Sequence, residues 1–311
     1  MGRSVHPLKI CLMNPSQKTC LITGSRGYLG SCVKAMFQKN GWSVRELIRN
    51  PSAEEVDSAS AVCFRLGWKI APDALAGASA LVHCAYDFQQ RSWEKIRETN
   101  VAGSERLFSA ARSAGVGKMI FISTMSAFDG CKSLYGKSKL EIEKLAFAHD
   151  AQNALVLRPG LIHGDSPRAM FGSLVSQVKS ANVVPIFGDG SQVLYLVRQE
   201  DLCQLILDHA EGRIPKVAEP VTAAHPQGWT FRQVLEEIAR AKGRQLRFVK
   251  LPWRPVWAAI RLLEALHVPL KFRSDSLLSL MNQNEHPSFA NHQKLGIEFR
   301  PFQIESIRLD G

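Results

Sequence analysis

The 311-residue chain is short of the features that mark several protein classes. Its seven cysteines are an odd number and include no Cys-x-x-Cys pair, which argues against a disulfide framework or a zinc site and fits a reducing cytoplasm. No apolar run approaches the length of a membrane span. Before Lys18 the only apolar patch, Ile10-Cys11-Leu12-Met13, is broken by Asn14-Pro15 and is too short for a signal peptide. Residues 1–16 therefore read as a disordered leader. Internal repeats, low-complexity linkers and basic runs of nucleic-acid type are missing, so nucleic acid is not an expected partner. The net charge of +11 then points to an anionic cofactor or substrate, or to an anionic membrane surface.

Tyrosine is also scarce, and this makes one spacing stand out. Of four tyrosines, Tyr28 has Cys32 four residues on, Tyr86 has Gln90 and Tyr195 has Gln199; only Tyr135 has a lysine, Lys139. On a helix the two share a face. A phenol is too weak an acid to trade protons readily at neutral pH. A cation beside it favours the phenolate and brings its pKa toward the working range.

A second motif lies near the N-terminus. Lys18-Thr-Cys-Leu-Ile-Thr-Gly24 is an apolar run that ends in glycine, and Ser-Arg26-Gly27-Tyr28-Leu29-Gly30 follows, then a helical pattern closed by Asn40-Gly41. Strand, glycine turn and helix form the context of a dinucleotide fingerprint. Gly24 permits the tight turn, Gly27 the approach of backbone to pyrophosphate, and Gly30 the packing of helix on strand. The first N–H groups of the helix face the phosphates. Strand-like runs at 18–23, 42–48, 61–65, 79–84, 117–123 and 153–158 alternate with helical patterns at 28–39, 93–114 and 133–149, which predicts a parallel sheet covered on both faces. Beyond residue 160 the pattern loses regularity, with helices expected over 168–180 and 230–242.

Together these residues resemble the extended, epimerase/dehydratase-like branch of the short-chain dehydrogenase/reductases. The ordered matches are His83-Cys-Ala85, Asn100-Val-x-Gly103, the strand ending at Ser123-Thr124, Arg158-Pro159-Gly160, and Gly188-Asp189-Gly190 followed by Glu200-Asp201-Leu202. The resemblance implies an α/β fold: a Rossmann-type doubly wound parallel sheet over 17–160 plus about 191–222. A smaller, partly discontinuous substrate part would be formed by 161–190 and 223–311. It implies an enzyme acting at a secondary alcohol or ketone carbon, with Tyr135 as general acid/base, Lys139 on the nicotinamide ribose, and a hydroxyl on the substrate oxygen. Thr124 is the choice for that hydroxyl, although one register puts Met125 in the slot and leaves Ser126 or no hydroxyl. The cofactor contacts implied are Gly24, Arg26, Gly27, Tyr28, Leu29, Gly30, Arg49, Ala85, Asn100, Ser123, Lys139, Arg158, Pro159 and Gly160. Helices 93–114 and 133–149 correspond to the family's dimer-forming pair, which implies a homodimer.

Three departures sharpen the expectation. At the end of the second strand, where an NAD site places an acid, stands Arg49, with Arg26 in the glycine turn; two guanidinium groups suit the 2′-phosphate of NADP, with NAD the alternative. The Gly-Asp pair that meets adenine is replaced by Arg65-Leu-Gly67-Trp68. Leu194 and Tyr195 occupy the place of the Arg-Asp pair that helps nucleotide-sugar members bind diphosphate. The substrate is thus a nucleotide sugar, handled by an epimerase or reductase, or a hydrophobic, sterol-like ketone or alcohol. A third reading is a catalytically idle assembly subunit. Residues 252–273 are aromatic, aliphatic and basic, and read as an amphipathic helix packed on the substrate part or as a peripheral membrane contact.

Overall fold

The computed structural model describes residues 17–164, 169–270 and 272–304; the expected leader, 1–16, lies outside the described residues. Strands β1 (Thr19–Thr23), β2 (Ser43–Ile48), β3 (Ala61–Cys63), β4 (Ala80–His83), β5 (Lys118–Ile122), β6 (Ala154–Pro159) and β10 (Val221–Ala223) form one sheet in the order β3-β2-β1-β4-β5-β6-β10. Every pairing in it is parallel. β1 lies inside the sheet between β2 and β4 and is buried throughout, as an apolar strand covered on both faces should be. Successive side chains leave it on opposite sides. Cys20 and Ile22 enter a core with Val33 and Phe37 of α1 (Tyr28–Lys39) and Leu202 and Ile206 of α7 (Gln199–Ala210). Leu21 enters another with Leu107 and Phe108 of α4 (Ala102–Ser113) and Ile142 of α5 (Leu134–Asp150).

The helix expected over 93–114 is continuous but not uniform. It runs as α3 (Trp93–Ile96), a π-helical turn over Arg97–Val101, and α4. The wider turn carries the buried Asn100, and such bulges are frequent at functional sites. Elsewhere in this half, α2 (Ala53–Asp57) opens with a capping box between Ser52 and Glu55.

The remaining elements stand over the carboxyl edge of the sheet. β7 (Leu161–His163), β9 (Val193–Arg198) and β11 (Gly228–Thr230) make a three-stranded sheet, and β8 (Val183–Phe187) pairs with β12 (Arg247–Leu251). Helices α6 (Ala169–Ser180) and α8 (Phe231–Ala241) close a third core around Phe171, Val178, Val234 and Ile238. α8 starts at Thr230 with the cap expected from its sequence. α9 (Trp253–Ala265), α10 (Ser274–Met281) and α11 (Ala290–Leu295) complete the chain, with α10 reaching back to α5. Among the described residues no helix is long and apolar enough to cross a membrane.

Candidate active site

The glycine turn leaves β1 at Gly24, whose φ of +67° lies in the left-handed region that glycine adopts without strain. At Gly30 the constraint is space: a side chain there would lie 2.1 Å from the Gly24 carbonyl oxygen. The turn is thereby pinned beneath the start of α1. No side chain caps that helix, so its first N–H groups remain for a ligand's phosphates. Gly24, Gly27, Tyr28, Leu29 and Gly30 all line a cavity of about 600 Å³ that continues to the Tyr135 phenol. The cradle and the uncapped helix end fit a dinucleotide.

At the far end of the cavity, α5 presents its functional groups at successive turns. Tyr135 and Lys139 share its face as expected, and Glu143 continues the series four residues on. Lys139 is buried and donates to the Ile122 carbonyl at 2.6 Å; its ammonium lies 5.9 Å from the centre of the Tyr135 ring. Burial lowers its pKa to about 8, against the opposing pull of Cys84 and Glu143. The phenol behaves unlike the expectation. Burial, then the neighbouring Tyr86, raises the Tyr135 pKa, and the hydrogen bond with Thr124 only partly offsets this. Desolvation dominates, and the ammonium 5.9 Å from the ring centre does not overcome it. Tyr135 is thus held as a protonated acid.

The three hydroxyls after β5 have separate partners. Ser123 donates to Glu143 Oε1 at 2.5 Å, and Arg158 grips both oxygens of that carboxylate at 2.8 and 2.5 Å. Thr124 meets the phenol and accepts from the Ser126 amide at 3.2 Å. Ser126 accepts from Ser279 of α10 at 2.7 Å. Of the expected contacts, Ser123, Thr124, Pro159 and Gly160 line the cavity, whereas Arg26, Arg49, Ala85, Asn100 and Arg158 do not. Asn100 exchanges two hydrogen bonds with the backbone of Asp87, at 2.7 and 3.1 Å, fixing the loop after β4 rather than touching Lys139. His83 supports it from behind, bonded to Thr23 at 2.7 Å and Ser104 at 2.9 Å, with Ser104 donating to the Asn100 carbonyl. Burial, then Lys139, drops the His83 pKa to about 3, so the ring is neutral. Ala85 donates to Thr23 and packs where a Gly24 side chain would go. Arg26 pairs with Glu55 at 2.7 Å in an open pocket at the end of β2, beside Asn50 and Ser52.

Several site residues had no signal at the spacing examined. Tyr86 lacks a lysine four residues on, yet its ring stands edge-on to Tyr135 at 4.9 Å and its hydroxyl pairs with Ser138 at 2.9 Å. Phe88 packs on Tyr135 at 5.5 Å. Asp275 of α10 accepts the amides of Leu134 and Tyr135 at 2.7 and 3.0 Å, while the Ser133 side chain takes that of Gly136 at 3.1 Å. A carboxylate from 140 residues away thus caps the catalytic helix, where its charge also suits the helix dipole. Glu143 alone had a readable signal, the repeat of four after Tyr135 and Lys139.

Residues 20–216 match the model of the NAD dependent epimerase/dehydratase family. Over 278 residues the chain is 26% identical to a ceramide reductase of Caulobacter vibrioides, covering 86% of each. Over 236 residues it is 28% identical to a UDP-glucose 4-epimerase of Vibrio cholerae, covering 66% of this chain and 69% of the epimerase. Among solved structures, MoeE5 in complex with UDP-glucose and NAD superposes with a TM-score of 0.63 at 21% identity, over 75% of this chain and 85% of that one.

Proposed function

The chain belongs to the NAD dependent epimerase/dehydratase family, an enzyme family, and from that premise we propose that it is an NADP-dependent oxidoreductase of hydrophobic ketones and alcohols. The lining of the cavity beside Tyr135 carries this reading. Phe88, Ile96, Met125, Leu134, Met170, Val193, Leu194 and Leu280 bound it, an apolar wall of the kind that holds apolar ligands. A diphosphate finds little there. Among the described lining residues the one arginine, Arg273, donates to the carbonyls of Phe88 and Gln90 and faces Glu264. Arg198, near the diphosphate position, is paired with Glu200 at 2.7 Å. The C. vibrioides reductase, with its lipid substrate, is a relative along nearly the whole chain.

Bound nicotinamide would supply the hydride that reduces the carbonyl carbon. The chain's own part is the proton. Thr124 and Tyr135 lie within hydrogen-bond reach of each other and both line the cavity, so a carbonyl oxygen bound beside them would meet two hydroxyls. As negative charge develops on that oxygen, the phenol gives up its proton and an alcohol forms. The Lys139 ammonium lies close enough to stabilise the phenolate left behind, which solvent reprotonates. In reverse, the phenolate accepts the alcohol proton. A phenol held protonated by burial suits the reductive direction.

The preference for NADP over NAD rests on Arg26 and Arg49. The Arg26–Glu55 pair is open to solvent, and such pairs contribute little, so a 2′-phosphate can take the guanidinium over at little cost. Titration by reduced-nicotinamide fluorescence is expected to give tighter NADPH than NADH, with Glu55→Gln widening the gap about two- to fivefold. Tighter NADH would refute it.

A nucleotide-sugar epimerase is the second reading, favoured by the 28% identity to the V. cholerae enzyme. Nicotinamide oxidation with long-chain ketones, a keto-steroid and UDP-hexoses distinguishes the two, together with mass analysis of what co-purifies. Stoichiometric oxidation of NADPH with a lipophilic ketone is expected. UDP-hexose interconversion with a retained cofactor would replace the first reading by the second.

A further inference from the structure

Helix α9 turns its apolar side outward. Trp253, Val256, Trp257, Ile260 and Glu264 form its half-buried inner side, and none of its residues is fully buried. Pro255, Ala259, Leu262, Leu263 and Leu266 make the opposite stripe at the period of an α-helix. All are exposed, Leu262 at 63% and Leu266 at 65%. Arg254 and Arg261 run along one edge, their guanidinium groups over the rings of Trp253 and Trp257. The helix's one carboxylate, Glu264, is turned inward to accept from the amide and hydroxyl of Ser274 at 3.1 and 2.5 Å. The outward face is therefore apolar and cationic, and Val268, also exposed, extends it.

The helix is tied to the rim of the cavity. Arg91 donates to the Glu264 carbonyl at 3.1 Å, and Arg273, just past the helix, donates to the Phe88 carbonyl at 2.7 Å. Phe88 is itself 59% exposed while lining the cavity against Tyr135. α9 is thus held beside the rim of the cavity that Phe88 and Arg273 line. An apolar helix face edged with arginine is the pattern of an interfacial helix, with leucines among acyl chains and guanidinium groups at the headgroups. A second copy of the chain offering the same face would bring no acid to these arginines; headgroup phosphates do.

We propose that α9, with the exposed Val268 just past it, docks the enzyme on an anionic phospholipid bilayer, lying in the interface with the cavity mouth at the membrane. That the cavity draws its substrate from the bilayer rests on the hydrophobic-substrate reading above; the docking does not.

The test is sedimentation of the full chain with phosphatidylcholine vesicles, with and without phosphatidylglycerol. The chain is expected to pellet with the anionic vesicles and to be released by salt. Leu262→Glu/Leu266→Glu and Arg254→Gln/Arg261→Gln should each weaken binding about tenfold or more. Thermal melts of both variants should be unchanged, since these residues are exposed. A wild-type chain left in the supernatant, or a glutamate variant that pellets equally, overturns the proposal. So does a defined dimer in sedimentation equilibrium that the glutamate variant dissociates. Vesicle binding is read without substrate, so its failure and the failure of the ketone reading are separate results.

Discussion

Helix α5 carries Lys137, Lys139, Glu141, Glu143 and Lys144 among its 17 residues and buries Lys139 and Glu143, whereas α9, 13 residues of mostly Trp, Ala, Leu and Ile, has no fully buried residue. Hydropathy alone would assign them the other way round. What faces each helix explains the reversal. α5 lies against the parallel sheet, where Ile122 supplies a carbonyl for the ammonium and Arg158 a fork for the carboxylate. Buried charge is tolerated when each polar atom is met. α9 packs chiefly on the short α10, and one helix cannot cover both of its apolar sides. The first helix has its buried charges met by the sheet, and the second leaves apolar area exposed.

The largest test of this contrast is chemical. Tyr135→Phe removes the proton donor and should lower turnover about a thousandfold while leaving NADPH titration unchanged. A loss under about tenfold would take the phenol out of the reaction.

Packing gives the next largest effect. Ile142, 1% exposed, should cost about 2–5 kcal/mol on truncation to alanine, and Leu262→Ala under about 0.5 kcal/mol. Urea melts measure both; comparable losses would mean that α9 is covered within the folded chain.

Asp275→Asn tests how far the two regions depend on each other. It weakens the cap on α5, typically worth about 1 kcal/mol, and should lower kcat about three- to tenfold with little change in KM. Cofactor affinity should hold, because the glycine turn is remote from α10. An unchanged kcat would reduce Asp275 to a fastening of the roof.

The last effect is one of pH. Burial lowers Lys139 from the ordinary 10.5 to about 8, so the folded protein loses this proton near pH 8 while the unfolded chain keeps it to about 10.5. The unfolded state then binds more protons across that window, and this group makes stability rise with pH there. Lys139→Met should remove the slope in melts between pH 8 and 10. A wild-type slope that survives the substitution would place the titration elsewhere.

Much of the sheet and its glycine turn was legible from the chain. Alternating strands and helices are local patterns, and Gly24 and Gly30 are required by backbone geometry within a few residues of themselves. The four-residue step from Tyr135 to Lys139 was legible for the same reason, since a helix turns short spacing into a shared face. The roof was not. Asp275 bonds a helix start 140 residues away and Tyr86 meets Tyr135 across 49, and neither contact has any trace in local sequence. Nor could the state of the phenol be read. The sequence suggested a phenolate favoured by lysine, but burial governs the phenol and raises its pKa.

By itself, then, the sequence determined the family, the parallel sheet and the glycine turn at the start of α1, because these depend on backbone turns and helical periodicity. Tertiary structure alone decided which hydroxyl meets the phenol, which side chains wall the cavity, and which way α9 faces. Those depend on how desolvation, hydrogen bonding and packing are shared among segments far apart in the chain, and no local pattern encodes that sharing.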